Sequence, residues 1–187
     1  MADNPVKKVG KAELYVVQGD ITRVPASAIM TTINSEGRWF GGIDRAIQRV
    51  AGNHYHNLAA EAAPLKNLQT VIAKGNRHAH KGQFDDVVFV VDDLKSSLDK
   101  VVYTGLEASH RAGHSKILVP TIRMGVMAGV VEKTPEEAVR KLGQGISDFM
   151  KSYGQSTKLE NITFVVYNDL KTMTQLSTGF YNNPELI

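Results

Sequence analysis

Two adjacent glycines, Gly41 and Gly42, free the backbone for close approach to another group, and the paired aromatics Trp39 and Phe40 run straight into them. An amphipathic pattern follows at once: Ile43, Ala46, Ile47 and Val50 fall at i, i+3, i+4 and i+7, so this turn opens a helix. The free N–H groups of a helix start favour anions. Asp44 lies in the first turn of that helix, where a carboxylate is worth about 0.3–1 kcal/mol against the macrodipole with no chemistry to perform. Further along, RMGVMAG sets Arg123 and Met124 before Gly125, Val126 and Met127. An arginine beside exposed N–H groups suits a diphosphate or a terminal phosphate through forked, charge-assisted hydrogen bonds. The GDIT stretch at 19–22 supplies Asp20, which on its own is a turn residue. The histidines pair as His54 with His56, His78 with His80, and His110 with His114. Only the last pair has the i, i+4 spacing of ligands on one helix face, and Arg111 stands where an HExxH motif has its Glu. They read as solvated; no metal or cofactor is expected.

Elements must carry these residues to one place. The chain has 187 residues, 42% of them hydrophobic, which suits one globular domain with a sizeable core. Short β-branched runs alternate with helical patterns, the mark of an α/β domain. Strands are expected at 11–17, 27–33, 70–73, 87–91, 116–120 and 161–167. Helices are expected from the glycine pair onward, at 97–111, from TPEE, where Thr134 caps, Pro135 opens and Glu137 closes a capping box, and at 169–176. The last eleven residues, STGFYNNPELI, read as a tail. In such sheets ligands gather beyond the carboxyl ends of the strands, which is where GDIT, the 34–44 stretch and RMGVMAG all fall.

Composition narrows the function classes. Net charge is +3 with Lys and Arg spread along the chain, so nucleic acid is not the expected partner. Cysteine is absent, which excludes disulfides, thiol nucleophiles and cysteine-ligated zinc. No run reaches the ~18 apolar residues of a membrane span, and the expected setting is soluble and cytoplasmic.

Taken in order, GDIT, a strand ending in Asn34, GGIDRAIQRVAG and ILVPTIRMGVMAG resemble the macrodomain family, whose members bind ADP-ribose and in several branches hydrolyse ADP-ribosyl bonds. The resemblance runs from about residue 14 to 176, with 1–10 as an N-terminal extension, 11–176 as the domain and 177–187 as the tail. It implies a three-layer α/β/α sandwich around a mixed, largely parallel sheet, and a small nucleotide as ligand. It further implies that Asp20 accepts from the adenine amino group with the Ile21 backbone alongside, and that Tyr167 lays its ring against adenine. Asn34 matches the asparagine that contacts the distal ribose, and Asp44, ten positions on, has the spacing of the Asn and Asp pair in MacroD-type hydrolases. An amide can fix ribose hydroxyls, while a carboxylate near the anomeric carbon can orient a water or stabilise oxocarbenium-like charge.

The departures shape the expectations as much. Thr31 replaces the first asparagine of the family's Asn-Ala-Ala-Asn run, and Trp39 and Phe40 stand where a four-glycine stretch is usual. Gly41, Gly42 and Ile43 are then expected to approach a diphosphate or ribose, with the aromatics walling the distal end. Arg123 and Met124 replace a small polar pair, and Met127 stands where an aromatic often lies beneath the distal ribose. Three functions follow: hydrolysis of an ADP-ribosyl conjugate through Asn34 and Asp44, a non-catalytic nucleotide reader, or a phosphatase acting on a terminal phosphate of ADP-ribose with Arg123 engaged directly.

Overall fold

A computed structural model describes residues 4–38 and 42–187; Trp39, Phe40 and Gly41 lie outside the described residues. In chain order the elements are β1 (Lys7–Val9), β2 (Ala12–Gln18), β3 (Ala28–Ile33), α1 (Gly42–Ala51), α2 (His54–Ala62), β4 (Thr70–Ala73), β5 (Asp86–Val91), α3 (Leu98–Arg111), β6 (Lys116–Val119), α4 (Pro135–Tyr153), β7 (Asn161–Val166) and α5 (Leu170–Tyr181). The strands form a seven-stranded sheet in the order β1-β2-β7-β6-β3-β5-β4. β2, β7, β6, β3 and β5 run parallel, while β1 and β4 pair antiparallel at the two edges.

Residue choice explains the layering. Every residue of β5, DVVFVV, is buried, as a strand covered on both faces must be. Val88 and Val90 point into a core shared with α3, α4 and α5, while Val87, Phe89 and Val91 point into one shared with α1 and α2. The sheet therefore carries helices on both faces, the expected α/β/α sandwich. Among the described residues no helix is long and apolar enough to cross a membrane.

Three features depart from the sequence reading. Lys7–Val9 within the expected N-terminal extension forms β1, paired to β2. The helix α2 has no counterpart in that reading. The expected tail continues α5 as far as Tyr181, and Phe180 and Leu186 are wholly buried. Gly179, which reads as a helix breaker, is where α5 crosses α4: a Cβ there would lie 2.4 Å from Val139 Cγ1. At α4 the Thr134 hydroxyl caps Glu137 N at 3.1 Å as expected, but the Glu137 carboxylate reaches Lys133 N, at 3.2 Å, so the reciprocal half is displaced by one residue.

Candidate functional site

The sheet order lays the expected pieces side by side. At the carboxyl edge of adjacent parallel strands, β2 leads into Asp20, β7 into Tyr167, β6 into the 120–134 loop and β3 into Asn34. Gln18 pairs with Val166, and Gly19 N donates to Val166 O at 2.9 Å, so Asp20 and Tyr167 leave the sheet at the same level. Three strand spacings separate β2 from β3, about 14 Å.

At the β2 end, Asp20 Oδ1 accepts from Thr22 N at 2.9 Å and from the Thr22 hydroxyl at 2.7 Å. Partial burial works against its charge, but these bonds, helped by Arg23 and Arg49, outweigh it and hold the carboxyl below the usual range. Asp20 is thus an ionised acceptor, 28% exposed in its side chain, with Oδ2 only loosely engaged by Arg23 at 3.8 Å. The buried Ile21 side chain pins the backbone beneath it. Tyr167, which follows β7 at the same edge, is 79% exposed.

At the β3 end, Asn34 Oδ1 accepts from Glu36 N at 3.0 Å and Arg38 N at 3.1 Å, which folds the loop back on itself. The amide oxygen is therefore spent locally, and Nδ2 is the end suited to a ligand hydroxyl. Gly37, at φ +76°, lies so close to α2 that a Cβ would meet Ala59 O at 2.7 Å. Gly42 opens α1, and Ile43 packs partly buried on the core beneath it. Asp44, in the first turn, is bound by His56 Nε2 from α2, both side chains 19% exposed.

The β6 loop corrects the expectation for Arg123. Its side chain is 2% exposed and makes four hydrogen bonds: to Asp92 Oδ2 (3.1 Å) and Oδ1 (2.7 Å), to Glu132 Oε1 (2.8 Å) and to Ser96 O (2.8 Å). Burial opposes its charge, but the carboxylates of Asp92 and Glu132 outweigh it and push its pKa up. Glu132 Oε2 also accepts from Leu98 N at 3.1 Å, so the guanidinium links the loop to the start of α3 rather than offering its fork to a phosphate. Met124 packs partly buried on the core, whereas Val126 is 89% exposed. Met127 is also exposed, and Gly125 has open space where a Cβ would be.

No protein-family model matches the chain. Its structure superposes on the Trypanosoma brucei macrodomain in complex with ADP-ribose with a TM-score of 0.76 at 18% identity, covering 94% of this chain and 73% of the other. The chain has the macrodomain fold. Among curated proteins, the chain is 25% identical over 167 residues to the O-acetyl-ADP-ribose deacetylase of Escherichia fergusonii, covering 85% of this chain and 90% of that protein. It is 22% identical over 178 residues to the human protein mono-ADP-ribosyltransferase PARP14, of whose length it spans 9%.

Several contacts around these strand ends carry no signature in the sequence. His56 was grouped with solvated histidines, yet it reaches Asp44 across two helices. The adjacent aspartates after β5 divide: Asp92 goes to Arg123, while Asp93 Oδ1 accepts from Ser35 N at 3.1 Å in the Asn34 loop. α3 stops at Arg111, so His110 and His114 do not share a helix face, and His114 is buried with Nε2 3.0 Å from Asp86 Oδ2. Among the described residues no three of His, Asp and Glu converge as metal ligands. A cavity of about 520 Å³ between α4, α5 and the C-terminal segment carries none of the groups above.

Proposed function

We propose that this macrodomain binds ADP-ribose or a closely related adenine diphosphate across the carboxyl edge of its parallel strands, and hydrolyses an ADP-ribosyl bond at the Asn34 and Asp44 end. The observation that carries this is the strand order β2-β7-β6-β3, which sets an ionised acceptor and an exposed ring at one end, a glycine turn in the middle and an amide donor at the other. Adenine offers an amino group to Asp20 and a face to Tyr167. The diphosphate would cross the turn at Gly125, and the distal ribose would meet Asn34 Nδ2. The relatives, an O-acetyl-ADP-ribose deacetylase and a macrodomain in complex with ADP-ribose, support the same ligand class. In the reaction, Asp44 would orient a water toward the bond between the distal sugar and its substituent.

A non-catalytic reader is favoured by one observation, that the Asn34 oxygen is spent on its own loop. The phosphatase reading loses its support, since it rested on Arg123 facing a terminal phosphate.

Calorimetric titration with ADP-ribose, AMP and NAD tests the ligand. ADP-ribose is expected to bind more tightly than AMP; equal affinities would end the reading. Asp20→Asn keeps an acceptor for Thr22 while turning N–H donors toward the adenine amino group. It is expected to cost ~1.5–3 kcal/mol of ADP-ribose affinity with little change in melting temperature. Hydrolysis is tested separately, with O-acetyl-ADP-ribose as substrate.

A further inference from the structure

We infer that His56 is a positioning residue for Asp44, holding its carboxylate in the orientation that hydrolysis uses. This rests on Asp44 acting as the reactive carboxylate of the proposed function. His56 Nε2 contacts Asp44 Oδ1, and an ionised carboxylate only accepts, so Nε2 carries the proton and donates. One oxygen is thereby fixed by the protein, and the rotation of the Asp44 side chain is fixed with it. Among the described residues Oδ2 has no other partner, and it is the oxygen left to take a water or a ribose hydroxyl.

The bond is not needed to dock α2. Tyr55 and Ala59 of that helix are wholly buried, the Tyr55 hydroxyl donates to Asp85 O, and His54 Nε2 lies 2.6 Å from Lys74 O. These contacts join α2 to the β4–β5 side of the molecule. His56, one residue past Tyr55, is rotated by about 100° around the helix and faces α1 instead. It is α1 that needs the tie, because Ile47 is its one buried residue among those described. The same helix supports the other half of the site through the close approach of Gly37 to Ala59. A helix of nine residues thus sets both the loop that bears Asn34 and the carboxylate of Asp44.

Steady-state hydrolysis of O-acetyl-ADP-ribose, ADP-ribose titration and thermal melting on His56→Ala, His56→Gln and Asp44→Ala test the role. His56→Ala is expected to lower kcat tenfold or more, up to about a hundredfold, because a loosened reacting group loses alignment. KM and ADP-ribose affinity should stay within about twofold. His56→Gln, whose amide donates from a similar reach, should restore most of kcat. Unchanged kcat in His56→Ala beside an inactive Asp44→Ala overturns the role of His56 and leaves Asp44 standing. A kcat loss that follows a fall in melting temperature and is not rescued by His56→Gln makes His56 a helix tie only, which also overturns it. No turnover by the unaltered protein, or full turnover by Asp44→Ala, overturns the hydrolytic reading and this role together.

Discussion

The loops after β3 and β6 are braced by the two neighbouring carboxylates that follow β5, yet by opposite physics. Asp92 joins a buried ion cluster with Arg123 and Glu132, whose guanidinium and carboxylates are almost closed to water. Asp93, one residue on, gives the Asn34 loop a single hydrogen bond to Ser35 N. That loop's other support comes from hydrogen bonds of Asn34 within the loop, from Leu65 N donating to Ser35 O, from a backbone contact at Gly37 and from the half-open bond between His56 and Asp44. A buried cluster of charges is either complete or costly, so the β6 loop is held firmly at Arg123 and Glu132. Single, partly hydrated bonds can lengthen and re-form at little cost, so the β3 side can adjust. Rigidity is placed where a diphosphate would cross, and tolerance where the variable part of a conjugate would enter.

The contrast can be broken by substitution. Arg123→Met should have the largest effect, about 3–5 kcal/mol of stability in chemical denaturation, because it strands the carboxylates of Asp92 and Glu132 without their cation. A loss below 1 kcal/mol would mean that the cluster does not brace the loop. Gly37→Val forces a branched residue into a left-handed backbone and against the Ala59 carbonyl. The strain should cost ~1–3 kcal/mol in stability. It should weaken ADP-ribose binding while leaving AMP binding unchanged, as read by parallel titrations. Equal losses for both ligands would show that the β3 loop does not touch the distal sugar. Asp93→Ala should cost least, ~0.5–1.5 kcal/mol in the same denaturation experiment. If it proves as damaging as Arg123→Met, the two loops are held alike and the distinction drawn above is wrong.

What the sequence revealed follows the same division between local and distant causes. β5 was legible because a strand buried on both faces must be apolar throughout, and the cap of α4 because Thr134, Pro135 and Glu137 lie within four residues. α2 was not legible. Its buried residues are only Tyr55 and Ala59, and the Asn53 side chain makes no capping bond, so neither a broad apolar stripe nor a start signal marks it. The end of α5 was not legible because what holds 177–181 in the helix is distant: Gly179 lies against Val139 of α4 and Phe180 is buried in the core. For the site, the family resemblance singled out Asp20, Asn34 and Tyr167, and their places at the ends of β2, β3 and β7 follow from the strands themselves. Arg123 was misjudged because its partners, Asp92 and Glu132, come from different connections, and no spacing announces a buried ion cluster. His56 was overlooked for the same reason: α1 and α2 must first pack before the histidine has anything to hold.

Apart from the bond of Ser35 N to Asp93, the contacts named for the β3 side close within one short run of chain. Ser35 O accepts from Leu65 N at 2.7 Å, Gly37 touches Ala59, and Asp44 meets His56. α1 and α2 bury few residues between them, whereas α4 alone buries eight. Segment 34–65 therefore has the makings of a cooperative unit that opens at a lower free energy than the sheet beneath it. In hydrogen-exchange terms, the amides of α1 and α2 would exchange through a sub-global opening and those of β5 through global unfolding. Under the proposed function, a bulky conjugate would be admitted by a brief, local melting that leaves the ends of β2 and β7 intact.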